Sequence, residues 1–105
     1  MSISRYISVV FLTLIIGCGP GERALSIDDL SGDPVTGELQ YNDLCSRCHE
    51  TNGRGGRGAN LIEHRDGHDD AELIEYVLEG SGIMPSFSYL DDQVIADIIA
   101  HIRSL

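Results

Sequence analysis

The chain has 105 residues, enough for one small domain and too few for two. It contains no lysine, and 17 acidic residues against 7 arginines give a formal charge of −10. Such a surface repels nucleic acid and anionic membrane, which excludes a DNA- or RNA-binding role.

Residues 1–5 are short and carry one positive charge, residues 6–16 are almost wholly apolar, and Gly17-Cys18 follows at once. A basic start, an apolar run and a small residue at the cut are the layout of a secretory signal. The run falls short of the ~20 apolar residues a membrane span needs. Ile15-Ile16-Gly17-Cys18 resembles a bacterial lipobox, in which the cysteine thiol receives a lipid and becomes the new N-terminus. Lipidation of Cys18 also accounts for the odd one of three cysteines, leaving Cys45 and Cys48 to act together. Residues 1–17 are therefore expected to be a signal peptide and residues 18–33 a flexible tether. The tether is polar and broken by Gly19, Pro20 and Gly21, with a mean span of about 20 Å. Residues 34–105 form the domain.

Asp33-Pro34 reads as a helix start, with Asp as N-cap and Pro at the first helical position. Gly37, Tyr41, Leu44, Cys45 and Cys48 then fall on one helical face. Residues 50–68 carry five glycines and are expected to be loop, with His64 and His68 solvated. Asp69 with Glu72 resembles a capping box opening a helix through Leu73, Ile74, Val77 and Leu78, which Gly80 stops. Residues 81–89 are loop again. The last helix starts near Asp91, with Leu90 and Ile95 as a hydrophobic staple. Val94, Ile98, Ile102 and Leu105 form its stripe, with Ile95 and Ile99 alongside. No segment alternates as a strand would, so the expected fold class is all-α.

The chemistry lies in Cys45-Ser46-Arg47-Cys48-His49. C-x-x-C-H reads as covalent attachment of a c-type haem. Two thiols on one side of a helical turn can reach the two vinyl groups of one porphyrin, and the next residue offers an imidazole to the iron. A zinc half-site lacks its second pair, and a thioredoxin-like pair lacks its βαβ context. A disulfide across one helical turn would be strained. Met84, in Gly82-Ile83-Met84-Pro85, is the only methionine left once the signal is removed. Its place in a loop before proline suits a second axial ligand, whereas a lone Met elsewhere fills a core. Thioether ligation opposite histidine raises the potential and closes the iron to small molecules.

Gly37-x-x-x-Tyr41, Cys45-x-x-Cys48-His49, Gly58-Ala59-Asn60-Leu61, Met84-Pro85 and the terminal Ile102-Arg103-Ser104-Leu105 together resemble a class I cytochrome c, from Val35 to Leu105. The resemblance implies three to four helices wrapped around one haem, the first and last crossing where Gly37 and Tyr41 meet Ile98 and His101. It implies that the Ala59 carbonyl accepts the bond from the His49 imidazole. Three positions depart from the family. Glu50 replaces a usual glycine, Ala59 a frequent proline, and His101 a usual aromatic; His101 is read as structural, with iron ligation as its alternative. Tyr41, Leu44, Leu61, Leu73, Val77, Ile98 and Ile102 are expected to bury the haem. Arg57, with Arg47, Arg54 and Arg65, is placed at the haem rim, pairing propionates or forming a docking patch.

The function implied is one-electron transfer between a redox donor and acceptor, without catalysis or a small-molecule substrate. The setting implied is the periplasmic side of a bacterial membrane, through lipid at Cys18. Gly19 in place of the Asp that often retains lipoproteins in the inner membrane favours the outer one. Two rivals remain: a haem subunit fixed in a larger dehydrogenase or oxidase, and a haem sensor or enzyme should Met84 not ligate.

Overall fold

The computed structural model describes residues 19–105, in which six helices and no β-strand are found. The fold is all-α. The expected signal segment 1–17 and the lipid site Cys18 lie outside the described residues.

Helix α2, Pro34–Leu44, begins as its sequence dictates. The Asp33 carboxylate accepts from Val35 N (3.0 Å) and Thr36 Oγ1 (2.7 Å), with Pro34 in the first turn. The same bonds, that from Thr36 foremost, hold the Asp33 carboxyl below its usual range. A short helix α3, Ser46–His49, continues after the Cys45 turn. Helix α5, Asp70–Glu79, carries the expected capping box between Asp69 and Glu72 and buries Ala71, Leu73, Ile74, Val77 and Leu78. Gly80 ends it with φ 74°, a conformation that side chains disfavour. Helix α6, Asp92–Ser104, buries Ile95, Ile98, Ile99 and Ile102 on one face.

Helices α2 and α6 cross where the glycine predicts. A Cβ on Gly37 would fall inside the Asp97 carbonyl and 3.0 Å from Ile98 N, so only glycine admits this approach. One turn on, Tyr41 is fully buried and its ring lies 5.0 Å from that of His101. Asp97 reaches across the crossing and accepts from Asp33 N (2.8 Å) and Gln93 Nε2 (2.9 Å). Tyr41 and Ile98 are among the largest fully buried side chains, and burying each aliphatic or aromatic group of this kind contributes about 1.5–3 kcal/mol.

Two stretches expected to lack structure are helical. Residues Glu22–Asp28, inside the expected tether, form helix α1. Ala24 and Ile27, one turn apart, are fully buried in the common core, and α1 packs on α5 and α6. Flanking glycines and exposed Leu25 conceal this two-residue stripe; tertiary contact, not propensity, makes the helix. Residues Leu61–Gly67, inside the expected loop, form helix α4. Asn60 caps it by accepting from Ile62 N (3.0 Å) and Glu63 N (3.3 Å).

Arg65, expected at the haem rim, serves instead to close α6. Its guanidinium donates to the carbonyls of Ile102 (3.2 Å) and Leu105, at the helix end where cations and donors are favoured. Arg103 answers from α6, donating to the carbonyl of His68 (2.6 Å), to the carbonyl of Arg65 and to the Asp70 carboxylate. His64 and His68 are half-buried rather than solvated. Their rings stack at 5.5 Å with Tyr76 edge-on to both, and His68 Nδ1 lies 3.2 Å from Glu72 Oε2.

Candidate haem site

Cys45, between α2 and α3, and Cys48, within α3, are free thiols, both half-buried. Burial pushes the Cys45 thiol up to about 11. His49 follows at the end of α3 and is buried. Its Nδ1 lies 2.8 Å from the Ala59 carbonyl oxygen, the partner expected for it. A carbonyl can only accept, so Nδ1 carries the proton and Nε2 is the basic nitrogen. No hydrogen bond engages Nε2 among the described residues. That tautomer is the one an iron ligand requires, and such outer bonds fix ring orientation and raise ligand basicity.

The loop after His49 folds back to hold this ring. Gly55 N donates to His49 O (3.1 Å), Gly58 N to Cys48 O (2.8 Å) and Leu61 N to Gly53 O (2.7 Å). Gly58 passes so close that a Cβ there would stand 2.8 Å from His49 Cε1 and 2.9 Å from Nδ1. Glu50 turns the chain out of α3 with φ 64°, ψ 159°, the one positive φ of a non-glycine residue among those described. This accounts for the glycine usual in the resembling family. The Glu50 carbonyl accepts from Tyr41 Oη at 2.6 Å. Burial, with smaller contributions from Cys45 and Glu50, pushes the Tyr41 phenol up to about 12.

Met84 is half-buried in the loop between α5 and α6. Two backbone bonds fix its position: Ser81 N to Met84 O (3.1 Å) and Met84 N to Ser81 O (2.9 Å). Gly80 lies against the same strand of chain, where a Cβ would be 2.5 Å from Met84 O. Phe87 N donates to Val77 O (2.8 Å), tying the loop to α5.

Whether these residues fit a haem is tested by the apolar surface beside them. Leu44, Cys45, Leu61, Met84, Phe87, Leu90 and Val94 pack on the core yet remain only partly buried. That set includes a cysteine of the C-x-x-C-H motif and the methionine of the loop, each left incompletely covered by protein. Of the seven residues expected to bury the haem, Leu44 and Leu61 belong to it. Tyr41 and Ile98 do not: the α2–α6 crossing already covers them completely. Phe87 and Val94 were not anticipated; Val94 reads as part of the α6 stripe and Phe87 as loop. Arg47, Arg54 and Arg57 are all exposed, and Arg57 has no side-chain partner among the described residues. Residues 44–62 hold these three arginines and a single carboxylate, Glu50, in a chain whose charge is −10. No group of three or more His, Cys, Asp or Glu that could hold a metal ion exists among the described residues.

A crossing of α2 and α6 at a glycine, a thiol pair on one turn and an imidazole oriented by a backbone carbonyl define a small c-type cytochrome domain. The family model described as cytochrome C oxidase, cbb3-type, subunit III matches residues 32–102, and the chain belongs to that family. No curated protein and no solved structure matches the chain. The family's cofactor is covalently bound haem c, for which Cys45, Cys48 and His49 supply the C-x-x-C-H motif. Its function is haem-based electron transfer, which requires redox partners.

Proposed function

We propose that the chain is a single-haem electron carrier held on the periplasmic side of a bacterial membrane. One haem c is bound through Cys45 and Cys48, with His49 and Met84 as axial ligands. When bound, the haem supplies reversible one-electron oxidation and reduction of its iron. The chain's own residues fix the ligands. Ala59 O orients the His49 ring, Gly58 lets the backbone close on it, and Gly80 with Ser81 holds the Met84 loop. The half-buried apolar set around Leu44, Leu61 and Phe87 excludes water from the porphyrin face. The observation that carries this reading is the His49 Nδ1–Ala59 O bond of 2.8 Å, which leaves Nε2 for iron.

With lipid at Cys18, only Gly19, Pro20 and Gly21 separate the anchor from α1, a reach of about 10 Å at full extension. The domain then sits close to the membrane instead of ranging from it, and the outer membrane is the one favoured by Gly19. The ferric absorption spectrum of the holoprotein, compared with Met84→Ala, tests the ligand pair. A weak far-red sulfur-to-iron band lost in the variant supports it; a five-coordinate or bis-imidazole spectrum revives a sensor or enzyme. Mass measurement of the mature N-terminus, with Cys18→Ser as control, tests the anchor.

A second reading makes the chain a fixed subunit of a larger oxidase or dehydrogenase. The description of the matched family favours it, and so do Val35 and Leu39, neighbours on one face of α2 that are 72% and 67% exposed. Size-exclusion of native membrane extract separates a small carrier from a large complex.

A further inference from the structure

Helix α1 lies outside the family match, which covers residues 32–102, yet its Arg23 is hydrogen-bonded to the downstream end of the Met84 loop. At the upstream end, Gly19 and Pro20 line a cleft of about 450 Å³ whose wall includes Gly80 and Ser81. Gly21 N donates to Glu75 Oε2 (2.9 Å), fixing the chain on α5. At the downstream end, one guanidinium makes three bonds. Arg23 donates to Ser88 O (2.7 Å), to Leu90 O (2.9 Å) and to Asp92 Oδ1 (3.0 Å). These carbonyls belong to the turn that carries the chain from Met84 into α6, and Asp92 opens that helix.

The exposed ion pair to Asp92 is of a kind that contributes little alone. The fork is different, because a planar guanidinium grips three acceptors at fixed relative positions, which an ammonium cannot reproduce. Ile27 and Ala24, fully buried, keep the helix seated so that the fork is held in place.

We propose that α1 is a brace for the haem-ligand loop, and that Arg23 is its positioning residue, holding residues 88–92 so that Met84 stays at its ligating position. This rests on Met84 being an axial ligand. The brace lies outside the stretch that the family model matches and would keep the sulfur bound while partners approach the loop, where Ile83 is 80% exposed.

The test compares holoprotein of the native sequence with Arg23→Ala and Arg23→Lys, by amide hydrogen exchange and by the pH at which the far-red sulfur-to-iron band disappears. Both variants are expected to speed exchange over residues 82–90 roughly tenfold, the loss of charge-assisted bonds acting locally, while amides of α2 and α6 keep their rates. Both should lose the band at lower pH than the native protein. Unchanged loop exchange, or acceleration spread evenly over all helices, overturns the brace. Full recovery in Arg23→Lys overturns the fork, since charge alone would then suffice. A native protein without the band refutes Met84 ligation and with it the ligand-holding role, while loop-specific acceleration in that case would still show that Arg23 fixes residues 88–92.

Discussion

Gly37→Ala sets two effects against each other. Inside an exposed helix, alanine is favoured over glycine by about 1 kcal/mol. At this position the added Cβ would overlap the Asp97 carbonyl and stand 3.0 Å from Ile98 N. Both obstacles are backbone atoms of α6, so no rotamer change relieves them and the helices must part. The parting would uncover Tyr41, Ile98 and the His101 ring and weaken the Asp33 N–Asp97 bond. Overpacking costs ~1–3 kcal/mol where side chains adjust and more where they cannot, so at least ~3 kcal/mol is expected here. Net of propensity the loss is ~2 kcal/mol or more, which lowers Tm by ~8–16 °C in a domain of this size. Thermal unfolding of the holoprotein followed by circular dichroism measures it. A Tm equal to or above the native value would refute the close crossing of α2 and α6.

Glu50→Gly should stabilise: the residue holds φ 64° with ψ 159°, a conformation that costs a non-glycine residue about 1–3 kcal/mol, and the carbonyl that receives Tyr41 Oη is retained. A Tm rise of ~4–8 °C is expected by the same assay, and a fall would show that the Glu50 side chain matters more than its backbone. Burial pushes the His101 pKa below its usual 6.5, against a smaller opposing pull from Glu38, and its Nε2 is buried without a partner among the described residues. The unfolded chain therefore takes the proton first, so stability present above about pH 6.5 is lost as pH falls further. His101→Phe should flatten the decline of Tm between about pH 7.5 and 5.5, and an unchanged slope would place the titration elsewhere. Gly58→Ala would push on His49 Cε1 and Nδ1, tilting the ring from Ala59 O; a shifted reduction potential with covalent haem retained is expected. An unshifted potential would mean that the loop yields instead of the ring.

The parts of the fold legible in the sequence were those with local causes. Asp33-Pro34, Asp69 with Glu72, and Gly80 each fix a helix end through their own backbone chemistry. The C-x-x-C-H motif was legible from its spacing, and the crossing at Gly37 from the family resemblance together with the missing side chain there. What escaped depends on distant partners. Helix α1 needs the α5 and α6 surfaces to receive Ala24 and Ile27. Helix α4 did leave a signal, Asn60 with Glu63 three residues on, masked by the glycines before it. Arg65 gave no hint that it would meet the end of α6, since the carbonyls it binds lie about 40 residues away. Burial against the rest of the protein is likewise set by distant partners: Tyr41 and Ile98 are covered completely at the α2–α6 crossing, whereas Leu44 and Leu61 stay partly open.

The placement of α1 separates two boundaries that are often treated as one. The stretch that the family model matches begins at residue 32, whereas the hydrophobic core already includes Ala24. Cutting the gene at the edge of the matched stretch would expose the α5 and α6 surfaces that Ile27 covers and leave the Ser88 and Leu90 carbonyls to solvent. The matched stretch and the folding unit differ here by at least one short helix, and any dissection of this protein into parts has to follow the second.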